Sequence, residues 1–432
     1  MITRNTIVQA QQRIAGRVHL TPLEHQYTLS EALGAPLYVK LENLQKTGSF
    51  KLRGALNKLG QLTPEQRAAG VVAASAGNHA QGVAWAAREL GMRALIVMPE
   101  GAAASKVAAT KAYGAEVLLK GETFDDAAQV AAEAAAEQGL TLIPAFDDEA
   151  IIAGQGTIGL EILEQLPDVG TVVVPVGGGG LISGIAIAIK EARPEVRVIG
   201  VEAEGADAFS QSLASPNGQP VTLKSVNTIA DGIALKAPGR LTYPIVRQYV
   251  DDIVVVRDDE IAGVILLFME RLKLVVEGAG AASVAALLSG RVAPSGDKPT
   301  VAVVSGGNID VDVIARIIER GLVRTGRRMQ LRVNLPDRPG ALHRFSGVIA
   351  RSQANILGIE HDRTSVRVPI GTTEVILSIA VHDAAHGERV IANLTEAGYE
   401  VTSDWDPSQR SMFGPSWNLG TTSFPRTAAP QS

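Results

Sequence analysis

From about residue 35 to residue 320, short β-branched runs alternate with Ala-rich amphipathic stretches. The extended runs are Val71–Ala74, Ala94–Met98, Glu116–Leu119, Thr171–Val176, Val196–Val201, Ile253–Val256 and Thr300–Val304. Helical patterns fall over Arg53–Leu62, Ala80–Leu90, Phe124–Gln138 and Leu181–Glu191. Runs that are apolar throughout, not at every second position, mark strands covered on both faces. Strands separated by helices predict a parallel α/β sheet, whose ligands bind beyond the carboxyl ends of the strands.

The pattern changes at the polar, basic stretch Gly326-Arg327-Arg328. Beyond it, strands are expected over Met329–Leu335, Ile356–His361, Thr373–Val381 and Tyr399–Ser403, with helices over Ala341–Ser352 and Glu388–Ala397. That βαββαβ order is ferredoxin-like. It gives two expected domains, 1–325 and 326–403, followed by a Pro- and Ser-rich tail over 404–432 that reads as mobile. His382 and His386 are four residues apart, and a surface position fits them better than a metal site.

Composition narrows the chemistry. The 432 residues carry 40 basic and 45 acidic side chains, a net charge of −5 that leaves no nucleic-acid footprint. There is no cysteine, which excludes disulfides, thiolate metal sites and a thiol nucleophile. No apolar run reaches the roughly 18 residues of a membrane span, and the N-terminus has no secretory pattern, so a soluble cytoplasmic protein is expected. Glycine is abundant, 44 residues, which suits tight strand-to-helix turns and close backbone approach to a ligand.

Four segments hold candidate chemistry. Lys51, in Gly48-Ser49-Phe50-Lys51-Leu52-Arg53-Gly54, is a candidate Schiff-base amine, which needs burial or a cationic neighbour to be partly unprotonated. Lys40, Lys46 and Arg53 are the neighbours considered. Ser75-Ala76-Gly77-Asn78-His79 follows a strand and opens a helix, a turn that presents N–H groups to a carboxylate. Gly177-Gly178-Gly179-Gly180-Leu181 does the same for a phosphate, and its spacing fits neither G-x-G-x-x-G nor a Walker A loop. Ser305-Gly306-Gly307-Asn308 places a hydroxyl at a strand end. One lysine, one phosphate cradle, one carboxylate cradle and one hydroxyl together describe a site for pyridoxal 5'-phosphate.

These motifs resemble those of threonine dehydratases (threonine ammonia-lyases), fold type II pyridoxal-phosphate enzymes, over residues 5–325. The turn Leu335-Pro336-Asp337-Arg338-Pro339-Gly340 resembles that of an ACT domain, a module that binds small ligands such as amino acids. The resemblance implies a two-lobed catalytic body, with a small lobe at about 43–140 inserted in the large one. It implies that Lys51 binds the cofactor aldehyde, Phe50 lies against its ring and Asn78 meets its ring hydroxyl. Gly177, Gly178, Gly179, Gly180 and Leu181 would hold the phosphate, and Ser305 would face the ring nitrogen. Substrate would meet Ser75, Ala76, Gly77, Asn78 and His79, with Gly232 and Glu277. No metal ligand is assigned: Glu202 and Ala206 match a cation site of some relatives, but its second acid falls at Ala208.

The activity so implied is β-elimination of L-threonine to 2-oxobutanoate and ammonia, with L-serine as a second substrate. Alternatives are a serine or 3-hydroxyaspartate dehydratase or racemase on the same scaffold, and a non-enzymatic amino-acid sensor. Racemases of the group carry a second acid/base serine where this chain has Ala76. An amino-acid effector at the ACT-like unit, assembly into a homodimer or homotetramer, and no membrane or nucleic-acid partner complete the expectation.

Overall fold

The computed structural model describes residues 2–363 and 369–405. The chain divides into two compact units, Met1–Val313 and one that begins at Ile314. The second unit thus starts before the boundary expected at 326, because most of the helix Val311–Arg324 falls within it.

The strands of the first unit are β1 (Leu23–His25), β2 (Leu37–Leu41), β3 (Val71–Ala74), β4 (Ala94–Met98), β5 (Glu116–Leu119), β6 (Thr141–Leu142), β7 (Thr171–Pro175), β8 (Arg197–Ala203), β9 (Asp252–Val256) and β10 (Thr300–Val304). They form a six-stranded sheet in the order β1-β2-β10-β7-β8-β9 and a four-stranded sheet in the order β5-β4-β3-β6. Only β1–β2 is antiparallel; the other pairs are parallel. Every residue of β7 and β10 is buried, as continuous apolar runs require. The edge strand β5 departs from that pattern and leaves Leu118 and Leu119 exposed. The smaller sheet is built wholly from residues 71–142, so its last strand lies just past the expected limit at 140.

Two helices behind the larger sheet use much of the glycine surplus. Glu149–Gln165 and Gly180–Lys190 pack closely, with Ile151–Ile162 and Gly180–Ile189 buried throughout. A Cβ on Gly156 would lie 2.7 Å from the Gly184 carbonyl oxygen, and one on Gly159 would lie 2.9 Å from the Ala188 methyl. The helices meet nearly backbone to backbone, and only hydrogen side chains leave room.

A buried ionic network ties this layer to the sheet. Arg53 donates from Nε to Glu42 Oε2 and from Nη2 to Glu42 Oε1, both at 2.8 Å. Its Nη1 and Nη2 reach Glu161 Oε1 and Oε2 at 2.5 and 3.0 Å. Lys40 Nζ donates to Glu161 Oε2 at 2.6 Å and to the Thr21 carbonyl at 2.8 Å. Burial opposes the charge on Lys40 and pushes it below its ordinary range. Burial also disfavours the Glu42 carboxylate, but Arg53 outweighs it and holds Glu42 low. The network therefore stands because each charge has a desolvated partner.

The second unit contains β11 (Arg328–Pro336), β12 (Asn355–Asp362), β13 (Thr372–Ala380) and β14 (Val401–Ser403), an antiparallel sheet ordered β12-β13-β11-β14. Burial alternates along β11 and β13, as a sheet with one covered face requires. The helices Ala341–Arg351 and Ala384–Glu396 join Phe345, Ile349, Val390 and Leu394 to that core. The second helix begins earlier than Glu388, because the Asp383 side chain caps it by accepting the His386 N–H at 2.7 Å. His386 is buried, contrary to the surface position expected. Its Nδ1 accepts the His382 N–H at 3.2 Å, so Nε2 donates to the Ser352 carbonyl at 2.7 Å. The tail beyond residue 405 lies outside the described residues.

Removing one member of the ionic network tests its weight. Glu161→Ala leaves Lys40 without its carboxylate and Arg53 with only Glu42. Urea unfolding of this variant is expected to show a loss of about 3–5 kcal/mol.

Candidate active site

Three strands deliver their following residues to one cavity of about 600 Å³, at the carboxyl ends of β3, β7 and β10. Lys51, Asn78, Gly177–Leu181, Glu277 and Ser305 all line it. Backbone hydrogen bonds stitch its floor: Phe50 N–H to Ser305 O at 3.1 Å, Gly307 N–H to Gly48 O at 2.9 Å, and Glu277 N–H to Gly306 O at 3.1 Å.

Lys51 is the first residue of the helix Lys51–Leu59, which begins two residues earlier than the pattern suggested and ends at Leu59 instead of Leu62. Its Nζ donates to the Ala145 carbonyl at 2.9 Å and lies 5.2 Å from the centre of the Phe50 ring. Burial pushes its pKa down to about 8, although Glu277 pulls the other way. The cationic neighbours considered for this lysine play other parts. Lys40 and Arg53 belong to the ionic network, and Lys46 lies 5.0 Å over the Trp85 ring. Desolvation, not a nearby cation, lowers this amine.

Gly77 caps the helix Asn78–Glu89, and the Ser75 hydroxyl accepts the Gly77 N–H at 3.1 Å. Ala76 also lines the cavity, and its methyl side chain has no acid or base group. His79 is buried, and its Nε2 meets the Ile143 carbonyl at 3.0 Å. Burial, with the Lys51 charge beside it, pushes the imidazole down to about 3, so it stays neutral and donates. Asn78 Nδ2 donates to Glu277 Oε1 at 2.7 Å, and Asn78 Oδ1 accepts from Asn308 Nδ2 at 2.7 Å. Burial and then the Asp231 charge push Glu277 up to about 7. Gly232 sits beside it: a Cβ there would lie 3.5 Å from Glu277 Oε1.

The glycine run opens the helix Gly180–Lys190, whose first-turn N–H groups have no intrahelical acceptor. Gly179 is left-handed at φ 86°, and a Cβ there would lie 2.5 Å from the Phe209 ring. A Cβ on Gly178 or Gly180 would meet Phe146, at 2.5 and 2.9 Å. The run is therefore glycine for two reasons: packing beneath the turn and open backbone above it.

The segment Ile143–Asp148 is absent from the sequence-based site, yet it supports most of it. Beyond the His79 and Lys51 contacts, its Phe146 fills the space under the glycines. The Asp147 carboxylate accepts the N–H groups of Arg240 and Leu241 at 3.0 and 2.7 Å. Asp148 caps the helix Glu149–Gln165 and pairs with Lys58 at 2.6 Å. The available signal was Asp147-Asp148 before an apolar helix, a helix-start pattern. Glu202 is also accounted for: its oxygens accept the Phe209 and Ser210 N–H groups at 2.8 Å each.

A half-buried amine whose pKa is lowered to about 8, an anion cradle at a helix N-terminus and a hydroxyl around one cavity fit pyridoxal phosphate. The chain belongs to the pyridoxal-phosphate dependent enzyme family, which matches residues 14–306, and an ACT domain matches residues 329–396. Within that family it is similar to the L-threonine ammonia-lyase of Geobacter sulfurreducens, 50% identical over 401 residues, 93% of this chain and 99% of the relative. Among solved structures, the processed form of threonine deaminase isoform 2 from Solanum lycopersicum is 38% identical with a TM-score of 0.69, covering 73% of this chain and 87% of that one. Maize serine racemase is 40% identical with a TM-score of 0.70, covering 74% of this chain and 98% of that one.

The burial cost of Lys51 predicts a pH effect on stability. Its pKa is lower folded than unfolded, so the folded state is penalised below about 8, and the penalty vanishes as pH rises from there towards 10.5. Ligand-free Lys51→Met is expected to be more stable than the parent at pH 7, by about 2 kcal/mol. Thermal unfolding across pH 7–10 should show that advantage shrinking.

Proposed function

We propose that the chain is an L-threonine ammonia-lyase that converts L-threonine to 2-oxobutanoate and ammonia and accepts L-serine less well. The observation that carries this reading is the half-buried Lys51 amine in one cavity with the glycine cradle, in a chain half identical to an L-threonine ammonia-lyase along nearly its whole length.

Lys51, Gly177–Leu181, Asn78, Phe50 and Ser305 would hold pyridoxal phosphate. Once bound, the cofactor supplies an electron-withdrawing system joined to the amino acid's nitrogen, which acidifies the α-hydrogen. Lys51 is the proton carrier. With a pKa of about 8, a useful share of its amine is neutral near neutral pH and accepts the α-proton. Ala145 O gives that amine one fixed acceptor and so aims it. Ser305 would offer the cofactor ring a neutral hydroxyl in place of a carboxylate, which suits elimination.

Glu277 keeps a proton to about pH 7 and, with Asn78, orients the substrate. The N–H groups of the turn from Ser75 to His79 receive its carboxylate. Glu277 is buried and Lys51 half-buried at the cavity wall. The absence of a hydroxyl at Ala76 favours elimination over racemisation, despite the likeness to a serine racemase.

The ACT domain is the seat of control. It binds an amino-acid effector, with isoleucine or valine as the candidates, and the working form is a homodimer or homotetramer. Among the described residues no helix is long and apolar enough to cross a membrane, and the reading places the enzyme in the cytoplasm.

Product analysis with L-threonine, L-serine and 3-hydroxyaspartate tests the assignment. 2-Oxobutanoate from threonine is expected as the preferred product, and a preference for either other substrate would overturn it. Lys51→Ala is expected to lower threonine turnover by at least about 10³-fold and to abolish the lysine-bound cofactor absorbance. Isoleucine or valine should shift the threonine saturation curve of the full-length enzyme.

A further inference from the structure

Asn308 lies in the Ser305–Asn308 turn and has no role in the reaction described above. Its side-chain nitrogen makes two hydrogen bonds, to the Thr47 carbonyl at 2.8 Å and to Asn78 Oδ1 at 2.7 Å. Asn78 then donates from Nδ2 to Glu277 Oε1 at 2.7 Å. The four groups form a chain: Thr47 carbonyl, Asn308 amide, Asn78 amide, Glu277 carboxyl.

This chain has a direction. An amide side chain has one accepting end and one donating end, and by itself either end can face either way. A backbone carbonyl only accepts. Thr47 O therefore requires the nitrogen of Asn308, that nitrogen requires the oxygen of Asn78, and Asn78 is left with its nitrogen towards Glu277 and the cavity. Each group is named by what it must do, and one fixed acceptor at the far end sets them all.

The backbone is shaped to admit this arrangement. Gly48 has φ 70°, and a Cβ there would collide with the Asn308 Oδ1 atom. The Gly307 N–H to Gly48 O hydrogen bond, 2.9 Å, clamps the two turns together beside the amide.

We propose that Asn308 is a positioning residue that fixes the polarity of Asn78, so that Asn78 presents N–H donors and never an acceptor to the cavity. The proposal rests on the reading that this cavity holds pyridoxal phosphate, and it deepens that reading by explaining how Asn78 is kept a donor.

Asn308→Asp is the sharp test. A carboxylate has no N–H for Thr47 O and offers only acceptors to Asn78, whose amide then turns its nitrogen towards residue 308 and its oxygen towards the cavity. Titration with pyridoxal phosphate in the absence of substrate should show the dissociation constant raised about tenfold or more, since a buried acceptor replaces a donor. In the Asn78→Ala background the same substitution should change that constant by less than about twofold, because the group it orients is gone.

Effects that add in full across the two backgrounds would show that Asn308 acts as a structural residue only, and would overturn the proposal. If Asn308→Asp does not fold, Asn308→Ala in the same cycle is read in the same way. With threonine, Asn308→Asp should lower kcat more than it raises KM, and an effect confined to KM would also count against it. The cofactor titration needs no amino acid, so it separates this proposal from the substrate assignment. If the wild-type protein binds the cofactor but does not turn over threonine, the assignment fails and the Asn308–Asn78 coupling still stands or falls on the cycle.

Discussion

Arg53 is the constraint on which the rest of the catalytic unit depends. It lies two residues beyond Lys51 on the same helix, fully buried, and its guanidinium is gripped by two carboxylates from different elements. Glu42 comes from the turn after β2, and Glu161 from the helix behind the larger sheet. A guanidinium cannot lose its charge in response to burial, so it must keep both partners, and the partners must keep their places. The helix that starts with Lys51 is thereby fixed in rotation and in depth. A second, independent hold comes from the Gly54 N–H, which donates to the buried Gln155 side chain at 3.1 Å. Lys51 is held at the mouth of a rigid element, and the cost of burying its own amine is offset by packing made elsewhere.

That arrangement explains how one cavity holds groups with opposed proton affinities. Lys51 falls to about 8 and Glu277 rises to about 7, each chiefly because water is excluded. A cation next to Lys51 would have achieved the first shift but not the second, since it would have held Glu277 ionised. Desolvation moves both groups towards neutrality at once. The cations near Lys51 in the sequence are accordingly used up in ion pairs or laid over an aromatic ring, away from the amine.

Three parts of the site that were legible from the residues alone share one property: they are glycine-rich or polar turns that directly follow an apolar strand. Ser75–His79, Gly177–Leu181 and Ser305 follow β3, β7 and β10, and the parallel sheets bring them together. What escaped has the opposite character. Phe146 and Ala145 are apolar residues in a segment with no local period, and their importance lies in what they touch. Lys40, Glu42 and Glu161 are charged residues of a kind that is solvated in most proteins. The pairing of Glu161 with Lys40 and Arg53 spans more than a hundred residues of chain, and no local pattern reports it. Glycine abundance alone suggests turns and close approach to a ligand, yet Gly156, Gly159 and Gly184 serve close helix contact. The composition held the signal, but its meaning depended on which helices meet.

The two shells of the site differ in how much substitution they tolerate. The glycine cradle acts through backbone atoms, so the residues around it matter by shape: Phe146, Phe209 and Ile233 fill the places where a Cβ would stand. The Lys51–Asn78–Glu277 side acts through side chains, so there the identity and direction of each donor matters. Direction cannot be created by packing, because the two ends of an amide have nearly the same shape. It has to be inherited from a group that does not turn over, and a main-chain carbonyl is the nearest such group in a folded protein. A polar relay that ends on the backbone is therefore better defined than one that ends on another side chain. In this site that end is the Thr47 carbonyl, at the base of the same loop that carries Lys51.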